Sequence, residues 1–198
     1  HSKKPVFGTE ENDFISGNSF YRIGTVNHES TGHIDFNLGY KKTAFLTSVT
    51  YSQFDDLWSG KNKNPFYSNN WDRNHFVETI DGKDYLVSYS DVNLQKGTGY
   101  NQYDVLQKIA IKLSDSLLLT FNFQLSKSGN VPRYDRLTQY SGSNLKFAEW
   151  NYGPEQRLLA AAHLVHTKKT KLYDKLTLTL SMQDLQESRI TRRFQQVY

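Results

Sequence analysis

The sequence predicts an all-β fold of antiparallel strands, of the kind that forms part of a transmembrane β-barrel. The clearest evidence is residues 102–127, which have the pattern of two strands around a turn at residues 114–116. Successive side chains of a strand point to opposite faces, and here one face is apolar and the other polar. The apolar face of the second strand consists of Leu117, Leu119, Phe121, Phe123 and Leu125. Both strands are long enough to cross a bilayer, which takes about 9–11 residues.

The composition indicates a single domain or a piece of a larger one. The 198 residues are 37% hydrophobic but include no apolar run of 18, which excludes a transmembrane helix. The chain has no cysteine, and this excludes disulfides, thiolate metal sites and cysteine nucleophiles. The net charge of +4 is spread along the chain, and we expect no nucleic-acid partner. The first residues lack the apolar core of a signal peptide, so either a leader was removed or the chain starts within a protein.

The pattern before residue 102 predicts three strands and a long polar segment. The predicted elements are a linker at residues 1–17, strands at residues 18–29, 34–40 and 45–52 with an extension towards Trp58, and turns at residues 29–32 and 41–43. The turn at residues 29–32 is placed at Gly32, because glycine adopts positive φ easily. Residues 59–100 form a long loop, and Asp81 and Gly82 within it are a strong signal for a two-residue hairpin turn.

Two further strands follow the second long loop at residues 128–156. They cover residues 158–164 and 176–182, with a polar turn at residues 168–174 and an extension of the last strand through Ile190 towards Phe194. The turns at residues 41–43, 114–116 and 168–174 then lie at one end of the strands. The long loops lie at the other end with the short turn at residues 29–32, and short turns opposite longer loops are the pattern of outer-membrane barrels. A soluble β-sandwich is the alternative, since its strands also alternate. Seven is an odd number of strands, and an open edge cannot lie in lipid, so we expect more sequence than these 198 residues.

Several stretches resemble TonB-dependent outer-membrane receptors, in their haem/haemoglobin-type branch. The stretches are H-S-K-K-P at residues 1–5, T-S-V-T-Y-S-Q-F-D-D-L at 47–57, G-T-G-Y-N-Q-Y-D-V-L-Q at 97–107, V-P-R-Y-D-R-L at 131–137 and A-E-W-N-Y-G-P-E-Q-R-L-L at 148–159. The resemblance implies that residues 1–17 are the end of a plug domain and its linker. Residues 18–198 would then be the first strands of a 22-stranded barrel.

The resemblance also implies a function, a location and partners. Such a receptor lies in the outer membrane of a Gram-negative bacterium and imports a scarce nutrient, here haem or an iron complex as cargo. The inner-membrane TonB–ExbB–ExbD complex drives transport by acting on the plug, and a surface-exposed lipoprotein is a further partner of this class. The TonB box, nearly all of the plug, about two-thirds of the barrel and the later-loop haem signature are absent from these residues. No resident cofactor is expected.

The candidate substrate-binding residues lie in the two long loops. They are Trp71, His75, Arg133, Tyr134, Arg136 and Trp150. His75 is the best-placed haem ligand, since haem iron is held by histidine or tyrosine, although it is also an ordinary polar loop residue. The arginines suit anionic groups, but an Arg–Asp pair that braces the loop is the favoured interpretation. His163 and His166 have opposite parity on one strand, so they cannot form a metal site on one face.

The remaining patterns argue against catalysis and leave two alternatives. No nucleophile–base–acid arrangement, phosphate-binding glycine loop or paired-carboxylate motif is recognisable, so we do not expect an enzyme. Polar residues of the inner face, such as Asp35, Asn37, Lys108 and Lys112, are candidates for contact with a plug. One alternative is a secreted β-sandwich that binds a glycan or peptide through loop aromatics, which are Trp58, Phe66, Tyr67 and Trp71. The other is a complete small barrel ending in Phe194 and Tyr198, which the odd strand number disfavours.

Overall fold

The computed structural model describes residues 3–62, 66 and 73–196. Its described residues form an all-β fold in which every strand pairing is antiparallel, and they include no helix long and apolar enough to cross a membrane. In chain order the elements are β1 (Phe14–Gly24), β2 (Glu29–Gly39), β3 (Thr43–Phe54), β4 (Leu57–Trp58), β5 (His75–Ile80), β6 (Lys83–Ser88), β7 (Leu94–Gln95), β8 (Tyr100–Ser114), β9 (Leu117–Ser128), β10 (Val131–Pro132), α1 (Tyr134–Leu137), β11 (Tyr140–Ser141), β12 (Asn144–Leu145), β13 (Phe147–Tyr152), β14 (Gln156–Thr167), β15 (Lys175–Gln186) and β16 (Arg189–Arg193).

Seven long strands form one sheet in the order β1-β2-β3-β8-β9-β14-β15. The shortest of them has 11 residues and the longest has 15, whereas strands of globular proteins most often have about 5–6. Each long strand pairs with the long strand that precedes it in the chain. The predicted all-β, antiparallel class is therefore confirmed. The described strands form an open sheet with edges at β1 and β15, and they do not close into a barrel.

Three short turns lie at one end of this sheet, and the two long connections lie at the other end together with the short turn at residues 25–28. Three short turns, at residues 40–42, 115–116 and 168–174, define what we call the turn end. The connections at residues 55–99 and 129–155 lie at the other end, which we call the loop end. The predicted separation of short turns from long loops is confirmed.

The register sorts the side chains of the sheet into a polar and an apolar face. Residues that pair across antiparallel strands lie on the same face, as Asp35 does with Ser48 and Lys108 with Asn122. The polar face carries Asn18, Asp35, Asn37, Ser48, Thr50, Asp104, Lys108, Asn122, Gln124, His163 and Gln183. The apolar face carries Ile15, Ile23, Ile34, Phe36, Val49, Val105, Ile109, Leu119, Phe121, Phe123, Leu164, Leu178, Leu180 and Met182. Its larger side chains remain exposed, for example Leu180 at 68%.

The N-terminal segment, residues 3–8, covers the polar face near the turn end. Lys3 Nζ donates hydrogen bonds to both carboxylate oxygens of Asp35, at 3.0 and 2.8 Å. Lys108 Nζ in turn donates to the backbone oxygen of Lys3 at 2.7 Å. Asp35, Asn37 and Lys108 are consequently buried. These polar residues, which sequence analysis proposed as plug contacts, therefore hold the chain's own N-terminal segment.

Replacing Gly39 by alanine is expected to displace the N-terminal segment. A Cβ at this position would lie 2.2 Å from the backbone oxygen of Val6, so the two hydrogen bonds between Val6 and Asn37, each of 2.9 Å, would break. Hydrogen exchange at Val6 should become about tenfold faster or more. The control is Gly32→Ala in the same strand, where the nearest atom, in the ring of Tyr21, is 4.0 Å from a Cβ. Equal exchange in the two variants would contradict the close contact.

The predicted boundary between the first two strands is wrong by about four residues. β1 begins at Phe14, inside the predicted linker, and the turn covers residues 25–28 instead of 29–32. His28 supplies the positive φ of 46° in that turn, while Gly32 lies inside β2 opposite Tyr21. Full-length pairing of β2 with β1 outweighs the local preference of glycine for a turn.

The predicted extensions of the third and seventh strands are also wrong. β3 ends at Phe54, and the short strand that contains Trp58 pairs with β7 instead. β15 ends at Gln186, and the chain then turns away to form β16, which pairs with β13 outside the main sheet. The cause is a local clamp, in which Ser188 Oγ donates to the backbone oxygen of Gly153 at 2.6 Å and Gly153 N–H donates back to the oxygen of Ser188 at 2.8 Å.

The hairpin predicted inside the first long loop is confirmed. β5 and β6 pair over their whole length around Asp81 and Gly82. Both turn residues have positive φ, 51° and 75°, as a type I′ turn requires. The hairpin brings its strands to the loop end of the sheet, where they contact the second long connection.

Candidate functional site

The long connections pack together at the loop end of the sheet. We call this body the loop cluster, and it consists of the hairpin β5–β6, residues 131–152 and residues 189–196. β13 lies at its centre, because β13 pairs with β10 on one side and with β16 on the other. It also contacts α1 and β5. The cluster therefore joins three segments that are far apart in the sequence.

A buried ion network joins these three segments. Arg192 Nη1 donates to Asp84 Oδ2 at 2.6 Å, and Arg192 Nε donates to Glu149 Oε1 at 2.9 Å. The side chains of Arg192 and Asp84 are only 6% and 1% exposed. Asp84 also accepts hydrogen bonds from Thr79 Oγ1 at 2.8 Å and from the N–H of Gln195 at 2.7 Å. Sequence analysis missed this network, because Arg192 was assigned to an extension of the seventh strand.

The network fixes the charge states of its members. The hydrogen bond from Arg192 is the main reason that the pKa of Asp84 lies below its usual range, and it outweighs the opposing effect of burial. The same contact raises the pKa of Arg192. Both groups are therefore charged at neutral pH, and each satisfies the other in a buried environment.

A small pocket of about 190 Å³ lies beside β13 and contains two of the predicted site residues. Its lining residues include His75, Val77, Gly97, Pro132, Tyr134, Thr138, Glu149 and Asn151. His75 Nδ1 is 2.9 Å from the hydroxyl of Tyr140, so this imidazole already has a partner. Because Tyr140 is half exposed, the pair lies at the surface of the loop cluster. The structure thus brings His75 and Tyr134 together, 59 positions apart in the sequence.

Two polar atoms of α1, the hydroxyl oxygen of Tyr134 and Nε of Arg136, are buried without a hydrogen-bond partner among the described residues. Burial raises the pKa of Tyr134 above its usual range, and the neighbouring Tyr89 adds to this effect. The phenol is therefore neutral at physiological pH and able to donate a hydrogen bond. The side chain of Arg136 as a whole is 40% exposed, although its Nε is buried.

Arg133 and Trp150 form a separate contact on the other face of β13. The guanidinium of Arg133 lies 5.0 Å from the centre of the Trp150 ring and donates to the hydroxyl of Tyr152 at 3.2 Å. Its Nε donates to Asp135 at 2.9 Å, which raises the pKa of Arg133. Trp150 is 7% exposed, so Arg133 covers its ring. These contacts support the interpretation that the Arg–Asp pair braces the loop.

The six predicted site residues therefore do not form one constellation. His75 and Tyr134 line the small pocket, whereas Trp150 points to the opposite face of β13 from Glu149 and Asn151, which line that pocket. Trp71, together with the alternative candidate Tyr67, lies outside the described residues. Spacing along the sequence could not separate the two faces, because the predictions did not assign β13 as a strand.

A second pocket, of about 540 Å³, lies where β3 ends and β8 begins. Its lining combines four aromatic rings with polar side chains. The ring of Phe54 packs 4.7 Å from that of Tyr100, and His28 meets the ring of Trp58 edge-on at 6.5 Å. The polar lining side chains are Gln53, Asp55, Asp56, Lys96 and Asn101. Trp58 is 40% exposed. Sequence analysis named Trp58 as a loop aromatic but did not identify the pocket, because its residues come from the β1–β2 turn and from two ends of the first long loop.

Asp56 organises the loop behind this second pocket. Its Oδ1 accepts hydrogen bonds from the N–H groups of Gly97, Thr98 and Gly99, at 2.8, 2.8 and 3.2 Å, while Lys96 pairs with Oδ2 at 3.1 Å. Burial alone would raise the pKa of Asp56, but these hydrogen bonds outweigh it and lower the pKa. A carboxylate held by three successive amides fixes the loop just before β8.

The five histidines among the described residues do not assemble a metal site. Across residues 3–62, 66 and 73–196, no group of three His, Asp or Glu side chains could hold a metal ion. His163 and His166 lie on opposite faces of β14, as predicted, where His163 contacts Thr179 and His166 contacts Tyr173.

Comparison of the chain with protein-family models, curated proteins and solved structures finds no match.

Proposed function

We propose that this chain is part of a TonB-dependent outer-membrane receptor that binds and imports a scarce nutrient, haem or an iron complex. The observation that carries the proposal is the inverted arrangement of the main sheet. Its polar face is covered near the turn end by the N-terminal segment, while its apolar face carries exposed large side chains on six of the seven strands, all but β14. A sheet in water buries its apolar face, whereas a barrel wall in lipid has an apolar outside and a polar inside.

The size of the exposed apolar face supports a lipid partner. Ile15, Ile23, Leu178, Leu180 and Met182 are each more than half exposed, and together with their neighbours they form a continuous surface. Contiguous apolar patches of this extent mark interaction sites in soluble proteins. A groove of about 480 Å³ over Ala160 and Ala162, between the Phe121 and Leu180 side chains, suits an acyl chain of an outer-membrane lipid.

The loop cluster would then face the outside of the cell and make the first contact with cargo. The small pocket offers a histidine and a neutral phenol, His75 and Tyr134, which are the side-chain types that ligate haem iron. Arg136, on α1 with Tyr134, suits a carboxylate of haem or of an iron chelate, whereas Arg133 is engaged with Asp135 and Trp150 on the opposite face of β13. On this proposal the TonB–ExbB–ExbD complex acts on a plug domain of which residues 1–17 are the end and the linker, and a surface lipoprotein would dock on the loop cluster.

The alternative is a secreted binding module for a glycan or peptide. The aromatic second pocket with Trp58 favours it, because exposed aromatic faces bind sugars and peptides. A β-sandwich, however, needs a second sheet packed on the apolar face, and the described residues place none there. The receptor is therefore the better-supported function.

The experiment that tests the proposal is fractionation of the native protein. Outer membranes are separated from soluble extract, and a band matched to peptides of this chain is sized by intact mass. The proposal predicts an outer-membrane band that requires detergent and is several times heavier than the 23.0 kDa of these residues. A soluble band of 23.0 kDa would overturn it in favour of the secreted module.

A further inference from the structure

We propose that the β14–β15 turn docks on the anionic phospholipid headgroups of the inner leaflet of the membrane. This inference rests on the proposed function, which places the turn end of the sheet on the periplasmic side. The relevant residues are 168–175, which we call the lysine turn. They contain four lysines, Lys168, Lys169, Lys171 and Lys175, against a single acidic residue, Asp174.

The four ammonium groups are available to a partner. All four lysines are exposed, and none forms an ion pair with a carboxylate in the part of the chain that the structure describes. Lys41, at the β2–β3 turn, differs in that it pairs with Glu10 at 2.7 Å. The positive charge of the turn end is therefore left uncompensated at the lysine turn.

An apolar side chain projects from the middle of this charge. Leu172 is 93% exposed, and the backbone on both sides of it is fixed. Thr170 Oγ1 accepts hydrogen bonds from the N–H groups of Leu172 and Tyr173, at 3.2 and 3.0 Å, and Thr170 N–H donates to the oxygen of Tyr173 at 2.8 Å. The turn thus holds Leu172 in a defined conformation in which its apolar side chain is exposed to water.

The lysine turn continues directly into the apolar face of the sheet. The hydroxyl of Tyr173 is 3.0 Å from Nδ1 of His166. His166 follows Leu164 by two positions in β14 and lies on the same apolar face. Beyond them Leu176 and Leu178 are each about half exposed, at 51% and 55%. The order along the surface is aliphatic, then aromatic, then cationic, which matches the layers of a bilayer from acyl chains to headgroups.

This order selects phospholipid over a protein partner. Tyrosine suits the interface because one end is apolar and the other polar, and each lysine near an anionic membrane surface strengthens the attraction to that surface. Leu172 would enter the headgroup boundary next to the lysines, where its exposed surface leaves water. An acidic protein surface would match the lysines but would not account for their continuity with the lipid-facing rows.

The test measures lipid retention by native mass spectrometry on the natural full chain purified in detergent. Phosphatidylglycerol and phosphatidylcholine are titrated separately. We expect the protein to retain phosphatidylglycerol preferentially, and the double substitution Lys168→Gln with Lys171→Gln to weaken that binding by about tenfold or more. The matched control is Lys61→Gln with Lys83→Gln, which removes two exposed lysines of the long loop and should leave binding unchanged. The double substitution Lys168→Arg with Lys171→Arg keeps both positive charges and should bind phosphatidylglycerol like the wild type.

The outcomes separate this inference from the proposed function. If the chain lies in the outer membrane but the glutamine pair and its control bind phosphatidylglycerol equally, the lysine turn does not dock on lipid and the receptor proposal stands. If the wild-type chain is not in the outer membrane, the receptor proposal itself fails. A loss of cross-linking to a periplasmic protein in the glutamine pair, with lipid binding intact, would assign the turn to a protein partner and overturn the inference.

Discussion

Replacing Arg192 by alanine is expected to destabilise the loop cluster by about 3–5 kcal/mol, because breaking a buried ion pair leaves one charge uncompensated. The side chain of Asp84 is only 1% exposed and would lose its main partner. Glu149 and Thr79 would lose their contacts with the same guanidinium. The hairpin would then keep the hydrogen bonds from the N–H of Gln195 to Asp84 and between His75 and Tyr140, but no ion pair to the other two segments.

Hydrogen exchange of the β5–β6 hairpin measures this effect. The exchange rate of its paired amides should rise by about 100-fold or more if the opening free energy falls by the expected amount. Arg193→Ala is the matched control, since Arg193 is adjacent but exposed. If both alanine variants exchange like the wild type, the Asp84–Arg192 pair does not hold the hairpin in place.

Acid provides a second measurement of the same network. The pKa of Asp84 is lowered in the folded protein, so its contribution to stability is fully present above the unfolded value near 3.8 and is lost as pH falls through the folded pKa. Protection of the hairpin, corrected for intrinsic exchange, should be constant from pH 7 to 5 and decrease below about pH 4. The Arg192→Ala variant should lack this decrease, because Asp84 has already lost its stabilising partner.

If the sheet is a barrel wall in lipid, as proposed, replacing Phe121 by aspartate should prevent assembly of the protein in the membrane. Phe121 lies at the centre of the apolar face, opposite Ile109 on β8 and Ala162 on β14. In lipid the substitution removes a favourable aromatic contact and introduces a carboxylate, at a combined cost of about 3 kcal/mol or more. The folded fraction in outer membranes, measured by heat-modifiable mobility, should fall strongly.

The neighbouring position supplies the control for this substitution. Asn122 is on the polar face, opposite Lys108, and Asn122→Asp should assemble normally because it adds a carboxylate beside an ammonium group. The comparison also distinguishes lipid from water around the sheet. Phe121 is 45% exposed, so in a soluble protein Phe121→Asp would be tolerated, and equal assembly of the two variants would argue against the membrane.

Sequence periodicity predicted the number and the faces of the long strands, but not the ends of several of them and not the loop cluster. The alternation of Leu117 to Leu125 specifies the faces of β9, because a strand side chain's face depends only on parity. The turn at Asp81 and Gly82 was predictable for a similar reason, since two residues of positive φ define it locally. These features need information from only a few neighbouring residues.

The parts that could not be predicted depend on pairings distant in the sequence. Asp84 and Arg192 are separated by 108 positions, and His75 and Tyr140 by 65, so no local pattern links them. The turn at residues 25–28 was missed because Gly32 is a stronger local signal than His28. Trp150 was proposed as a binding surface from its residue type alone, and only the fold reveals that Arg133 covers it.

The strand order of the main sheet has a consequence for how the protein folds. Every long strand pairs with its predecessor along the chain, so each needs only the unpaired N–H and C=O groups of the previous strand as a template. The long connections add little to this process, since each doubling of loop length costs about 0.6 kcal/mol. The ion network forms later, because Arg192 follows β15 in the chain and Asp84 cannot pair with it before that segment is in place. We therefore expect the sheet to grow sequentially from β1 and the loop cluster to close last.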